Sequence, residues 1–451
     1  MTKLMTLLVI LSVSAFANTA PNNFPHTSGQ PNEQYTFVDF QSANYSIKYD
    51  VKNEKVSAFT KIVFKQSEAG IPLFDLVPQV TEIKLDGEIV KSKTVQSPDK
   101  VTSYKAALKT LAAGTHTLEI KNEIDKNVRF EKDGVQSAFW MSDLNDRRYL
   151  EQYIPSNIEF DQYKMTIELS FVNTIAKQTI YTNGKVVEKS NNTYVIDFPK
   201  YFTASSMFFH TATEGRFEEE KYDYTSINGR VFPVTVYSKS SIWGGGNVPK
   251  AVKGSKKVLK ELEAKLGAWS HENLVIYVAG QGGMEHSGAT ITSLSALGHE
   301  ITHSYFARGV MPIDGNSGWM DEAIASWRDD GYKSDSKPNF SSTKMAAHSQ
   351  YQRTTDRKAY TQGANFMAYL NYNLKNIGGL ETFLSNMYKK YTHKNINTEL
   401  FRTELETFSG LNFEGDFNQY IYGQGKLDNS KEVRINPYHP QLSEKQLLEL
   451  L

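Results

Sequence analysis

Between positions 35 and 211 apolar and polar side chains alternate in short runs: NYSIKYDV, AFTKIVFKQ, TEIKLDGEIV, THTLEIKNEI, YKMTIELSFVN, QTIYTNGKVV and NTYVIDF. A period of two turns one side of each run toward a core and the other toward water. Turn-forming groups such as Leu85-Asp86-Gly87 and Thr182-Asn183-Gly184 separate the runs, and such a series predicts a β-sandwich. After one more strand-like run at 234–237 the period changes. Over 249–266, Val252, Val258, Leu259, Leu262 and Leu266 recur at helical spacing and Gly267 ends the run. NLVIYVA at 273–279 is a short, mostly apolar strand. Helical segments are then predicted over 293–308, 318–330, 357–376, 380–391 and 398–408, the third stopping at Gly378-Gly379.

The pattern predicts an α+β chain with a β-sandwich over 35–215, a second domain of helices and strands over 216–428, and a polar tail over 429–451 that ends in the amphipathic LSEKQLLELL. A length of 451 residues suits two cores better than one. Lysine plus arginine and aspartate plus glutamate both total 50, so no net field draws nucleic acid or an anionic membrane, and recognition of any charged ligand must be local.

The opening MTKLMTLLVILSVSAFA has one lysine, an apolar run of about a dozen residues, and the small-x-small Ala15-Phe16-Ala17. It predicts a signal peptide over 1–17 and export to the periplasm or beyond. The run is shorter than the roughly 20 residues that span a bilayer, and no later stretch is apolar enough to do so. The segment 18–34, polar and carrying Pro21, Pro25 and Pro31, reads as a flexible N-terminus. Cysteine is absent, which removes disulfides, thiol nucleophiles and thiolate ligands. Chemistry is left to His, Asp, Glu and Tyr.

The stretch at 282–306, GGMEHSGATITSLSALGHEITHSYF, holds two patterns of interest. His299 and His303 are four apart in a predicted helix, so their imidazoles share one face and can share one metal. Glu300 then reaches a water at the metal as general base. With eighteen residues between it and His303, Glu322 in NSGWMDEAIASW on the next helical segment is the candidate third ligand. Asp321 competes with it, but points about 100° away on the helix and suits support of a ligand imidazole. Glu285, near a strand end, can pair with a substrate ammonium or can be a plain solvated charge. Gly282 and Gly283 leave backbone open to an extended peptide, or form an ordinary turn. Tyr360, one of 25 tyrosines, can donate to an oxyanion or fill a core.

HEITH, eighteen residues, then Glu322 resembles the signature of the aminopeptidase N-like zinc metallopeptidases. GGMEH looks like that family's Gly-x-Met-Glu-Asn motif, which implies that Gly282, Gly283, Met284 and Glu285 bind substrate, with Glu285 on the free α-amino group. Tyr360-Thr361-Gln362-Gly363 is similar to the family's Tyr-x-Lys-Gly, whose tyrosine stabilises the oxyanion, and NYSIKYDVKNEKVSAFTKIVF is similar to its opening β domain. The resemblance covers 35–423. It implies a thermolysin-like catalytic domain after the β-sandwich, and one zinc ion on His299, His303 and Glu322. It further implies hydrolysis of the first peptide bond, with Glu300 taking a proton from the attacking water and passing it to the leaving amine.

The expected protein is thus an exported zinc aminopeptidase acting on peptides, with no nucleic-acid partner and no integral membrane segment once the signal is removed. Departures are visible. His286 stands where the family has asparagine, only 14 positions separate Glu285 from His299, and the interval from Glu322 to Tyr360 is short. The chain leaves no room for the family's large helical C-terminal domain, which implies an open cleft or one closed by a second copy in a homo-oligomer. Asp143 and Asp146 lie where the family's β domain lends a polar residue to the pocket, or form a surface cluster with neighbouring arginines. His26, His116, His210, His271, His348, His393 and His439 show no ligand spacing. Two rivals stand: a zinc endopeptidase or other amide hydrolase, and a non-catalytic peptide-binding protein with structural zinc. Glu300 and Tyr360 argue against the second, since a structural zinc needs neither base nor oxyanion donor.

Overall fold

The structure is a computed structural model that describes residues 24–25, 33–142, 149–159, 161–239, 247–313, 316–346, 349, 351 and 354–424. The signal peptide over 1–17, most of the segment 18–34, Asp143, Asp146, His26, His348, His439 and the tail over 429–451 lie outside the described residues.

Asp39–Asp50 and Lys55–Gln66 bury every second side chain, among them Phe40, Tyr45, Ile47, Tyr49, Ile62 and Phe64, and pair antiparallel. They lie at the middle of an eight-stranded sheet that Gly114–Glu123 and Val80–Leu85 extend on one side. On the other side Lys164–Val172 adds in parallel to Asp39–Asp50. A five-stranded sheet containing Gln34–Phe37, Ile71–Phe74 and Ser103–Ala107 accompanies it. The β-rich half also has a four-stranded sheet, in the order Val128–Phe130, Val135–Ala138, Phe209–Thr213, Gln178–Thr182.

A further five-stranded sheet runs Glu218–Thr225, Val231–Ser238, Leu274–Val278, Ala289–Thr292, Met284–His286. Its three inner strands are parallel and the edge strand Met284–His286 is antiparallel. A parallel sheet is covered on both faces, and this explains why NLVIYVA is apolar throughout. Val234, Val236, Ile276 and Val278 join the core of the helices, whereas Tyr237, Val275, Tyr277 and Ile291 join the core of the β half. On that second side Tyr181 stacks on Tyr237 with ring centroids 3.8 Å apart, and Trp140 stacks on Tyr277 at 5.8 Å.

Seven helices are described: α1 Val248–Leu266, α2 Leu297–His303, α3 Trp319–Asp329, α4 Ala364–Leu374, α5 Gly379–Tyr391, α6 Thr398–Ser409 and α7 Glu414–Tyr420. The helix expected over 293–308 is reduced to the seven residues of α2: it begins only at Leu297, after a turn over 294–296, and the chain reverses at once behind it. There Arg308 N–H donates to the His303 carbonyl at 2.9 Å and Val310 N–H to the Tyr305 carbonyl at 2.8 Å. A Cβ on Gly309 would stand 2.5 Å from the Ser304 carbonyl oxygen, so this reversal admits glycine. The segment 357–376 also differs from one continuous helix: a wide turn over Ala359–Gly363 precedes α4, and a tight one over Lys375–Ile377 follows it. The helix α7, and the pairing of Val310–Pro312 with Lys394–Ile396, carry too little periodicity to have been expected. No described helix is long and apolar enough to cross a membrane.

The Trp140–Tyr277 stack joins the β half to the second sheet, so Trp140→Ala should lower stability by about 3–5 kcal/mol. Chemical denaturation followed by tryptophan-independent circular dichroism checks this.

Candidate active site

The helix α2 presents His299 and His303 on one face, with ring centroids 4.7 Å apart. Packing of α3 against α2 brings in Glu322, whose Oε2 lies 3.1 Å from His299 Nε2 and 3.6 Å from His303 Nε2. One ligand atom from each residue falls within 4.8 Å of the others, and all three side chains are at most 1 % exposed. Two imidazole nitrogens and one carboxylate oxygen match the donor set of a catalytic zinc site, which leaves a fourth position for water or substrate. The residues therefore fit the metal.

His299 is held from behind. Its Nδ1–H donates to Asp329 Oδ2 at 2.6 Å, a direction required because a carboxylate only accepts. With Nδ1 engaged in this way, Nε2 faces Glu322 and is the nitrogen open to a metal once its own proton leaves. Burial disfavours a charged His299, but Asp329 and Glu322 together hold its pKa well above the ordinary value. Burial likewise raises Asp329, and the bonds from His299 and Arg328 overcome this to hold its carboxyl below the usual range. Arg328 donates to Asp329 at 3.0 Å and grips Glu261 of α1 with two bonds of 3.0 and 2.8 Å, so three helices converge on one imidazole. The carboxylate supporting a ligand histidine is thus Asp329 and not Asp321. It lies seven residues past Glu322, two turns along the same helix face, and that spacing was the available signal. Asp321, on the adjacent face, is buried and acts on Arg308 through its field.

Tyr360 comes from the wide turn over Ala359–Gly363, and its hydroxyl donates to Glu322 Oε1 at 2.5 Å. The approach depends on Gly363: a Cβ there would be 2.7 Å from the Ala323 Cβ, beside Glu322. Glu300 is fully buried, and its carboxylate forms a second close group with His303 and Glu285, again within 4.8 Å.

Glu285 sits on the edge strand Met284–His286 opposite Thr290. Burial pushes its pKa up to about 7; Arg308 opposes the rise and Glu300 and Glu322 add to it. Arg308 Nη2 contacts its Oε1 at 2.7 Å. No spacing in the sequence pointed to Arg308, which reaches Glu285 only through the reversal behind α2. Gly282 has a φ of 68°, in the left-handed region that glycine suits, and Gly283 is half-buried before the strand. The Met284 side chain packs into the core with Tyr277 and Ile291. His286 is buried edge-on to Phe208, outside both close groups, and burial, helped by Arg308, pushes its pKa down to about 3. Among the described residues, His116, His210, His271 and His393 belong to neither group.

No family model and no curated protein matches the chain. Solved structures do. An M1 zinc metallopeptidase from Deinococcus radiodurans aligns with a TM-score of 0.61 at 15 % identity, over 89 % of this chain and 96 % of that one. Yeast LTA4 hydrolase in complex with bestatin aligns at 0.61 and 14 % identity, over 88 % of this chain and 69 % of that one. Legionella pneumophila aminopeptidase A in complex with aspartic acid aligns at 0.62 and 11 % identity, over 89 % and 51 %. The fold of the chain is therefore that of the M1 zinc metallopeptidases.

If Asp329 orients His299, Asp329→Ala should weaken zinc binding roughly 10- to 100-fold. Competition with a chelator measures this, while the circular dichroism spectrum stays that of the wild type.

Proposed function

We propose that this chain is an exported, zinc-dependent peptidase that removes residues from the amino end of peptides. The observation that carries the reading is the convergence of His299, His303 and Glu322, with Glu300 and Glu285 grouped around the same His303. Zinc bound there would acidify a water and polarise the scissile carbonyl. Glu300 takes the proton of the attacking water and returns it to the leaving nitrogen. Tyr360 donates a hydrogen bond to the carbonyl oxygen as it becomes an anion. Glu285, on the edge strand, marks how far the amino end of the peptide enters. The Deinococcus neighbour has been solved with a Tyr-Ser-Ala substrate, which supports a peptide as the class of ligand. Export rests on the sequence over 1–17.

A second reading, an endopeptidase, is favoured by one observation, the contact of Arg308 with Glu285. The position of the cut separates the two. A peptide library digested by the zinc-loaded protein should lose single residues from its amino ends, as seen by mass spectrometry. Internal fragments would select the endopeptidase instead. Glu300→Gln should lower kcat by roughly 10²–10⁴-fold with zinc still bound, and Tyr360→Phe by roughly 10²–10³-fold. Zinc-loaded wild type that cuts nothing in the library would leave only a peptide-binding role.

A further inference from the structure

Glu285 already has a cation of its own. Arg308 Nη2 donates to Glu285 Oε1 at 2.7 Å and Nε approaches the Glu285 main-chain carbonyl at 3.4 Å, while Nη1 donates to Ser205 Oγ at 3.0 Å. The paired side chains are 4 % and 2 % exposed, so solvent does little to screen them. Tyr149, Glu159 and Asp321 add to the field that keeps the guanidinium charged, after Glu285.

Strained backbone delivers this guanidinium. Ala307 has a φ of 139°, a region that a residue with a Cβ adopts only when its surroundings enforce it. The strained residue opens the reversal that returns Arg308 to the His303 carbonyl and aims its side chain past the edge strand toward the Ser205 turn. That turn is bound to the same strand end, since Ser287 N–H donates to the Ser206 carbonyl at 3.1 Å and Asn183 Nδ2 donates to the carbonyls of both Ser206 and Ser287. The ion pair is thus built into a junction of α2, the edge strand and the β half.

We infer that Arg308 is the specificity-determining residue of the amino-end pocket. It supplies within the chain the positive charge that Glu285 would otherwise take from a substrate ammonium. The substrate class is then peptides whose end is recognised by position, including ends that carry no ammonium. A second cation on this buried carboxylate would lie within a few ångström of the guanidinium and be repelled by it, whereas a neutral N–H or O–H can still donate to the carboxylate. The inference rests on the peptidase reading above.

The test uses two peptides that differ in one group, a terminal amine in one and a hydroxyl in its place in the other, with the zinc-loaded full chain. Wild type should cleave both with kcat/KM values within about threefold of each other. Arg308→Met frees Glu285 for the ammonium and should shift the ratio toward the amine by roughly 30-fold, mainly through KM. Arg308→Lys keeps the charge and should return the wild-type ratio. Zinc content and unfolding midpoint are measured for each variant. A wild-type preference for the amine above about 30-fold overturns the inference, and that result stands even if Arg308→Met does not fold. A ratio left unchanged in folded, zinc-loaded Arg308→Met overturns it as well. Failure of wild type to cleave either peptide would instead count against the peptidase reading.

Discussion

Two imidazoles and a carboxylate, buried and each with one ligand atom within 4.8 Å of the others, favour a shared positive charge, and the helices around them are arranged to hold that group together. Such a cluster is costly unless a cation occupies it or protons bind to it. Glu322 and Asp329, which hold the His299 pKa above its ordinary value, also attract any divalent ion that enters.

The cluster is held by helices and not by loops. Glu261 on α1, Arg328 and Asp329 on α3, and His299 on α2 form one hydrogen-bonded series that fixes the imidazole relative to all three helices. Tyr360 is placed from the opposite side, where the missing side chain of Gly363 allows its turn to touch Ala323. A ligand set locked in this manner loses little freedom when a metal or substrate arrives.

The β half contributes more than bulk. Its Trp140 and Tyr181, joined by Phe217 from the start of the second half, bury the second face of the sheet that carries Glu285. Ser205 and Asn183 hold the edge strand and Arg308 in register with α2. The surroundings of Glu285 are therefore a product of both halves, and its ion-pair partner is a side chain from neither the HEITH nor the GGMEH pattern.

The legible part of this protein was whatever depends on short-range geometry. Alternation announced the strands because the pleat has a fixed period, and the four-residue interval of His299 and His303 announced a shared face because a helix has a fixed pitch. Glu322 was readable for the same reason once a second helix was expected. Asp329, eight positions further along the chain, is not singled out over Asp321 by spacing alone, since choosing between them requires knowing which face of α3 meets α2. The helix expected over 293–308 ran too far at its C-terminal end because that end is forced by a strained reversal at Ala307, which no propensity predicts. The sequence by itself determined most of the strands and helices and the face shared by His299 and His303, both consequences of local repeat geometry. Only the tertiary structure decided that Arg308 meets Glu285. Their contact, across 23 positions, exists solely because the reversal behind α2 and the edge strand pack on the same turn of the β half.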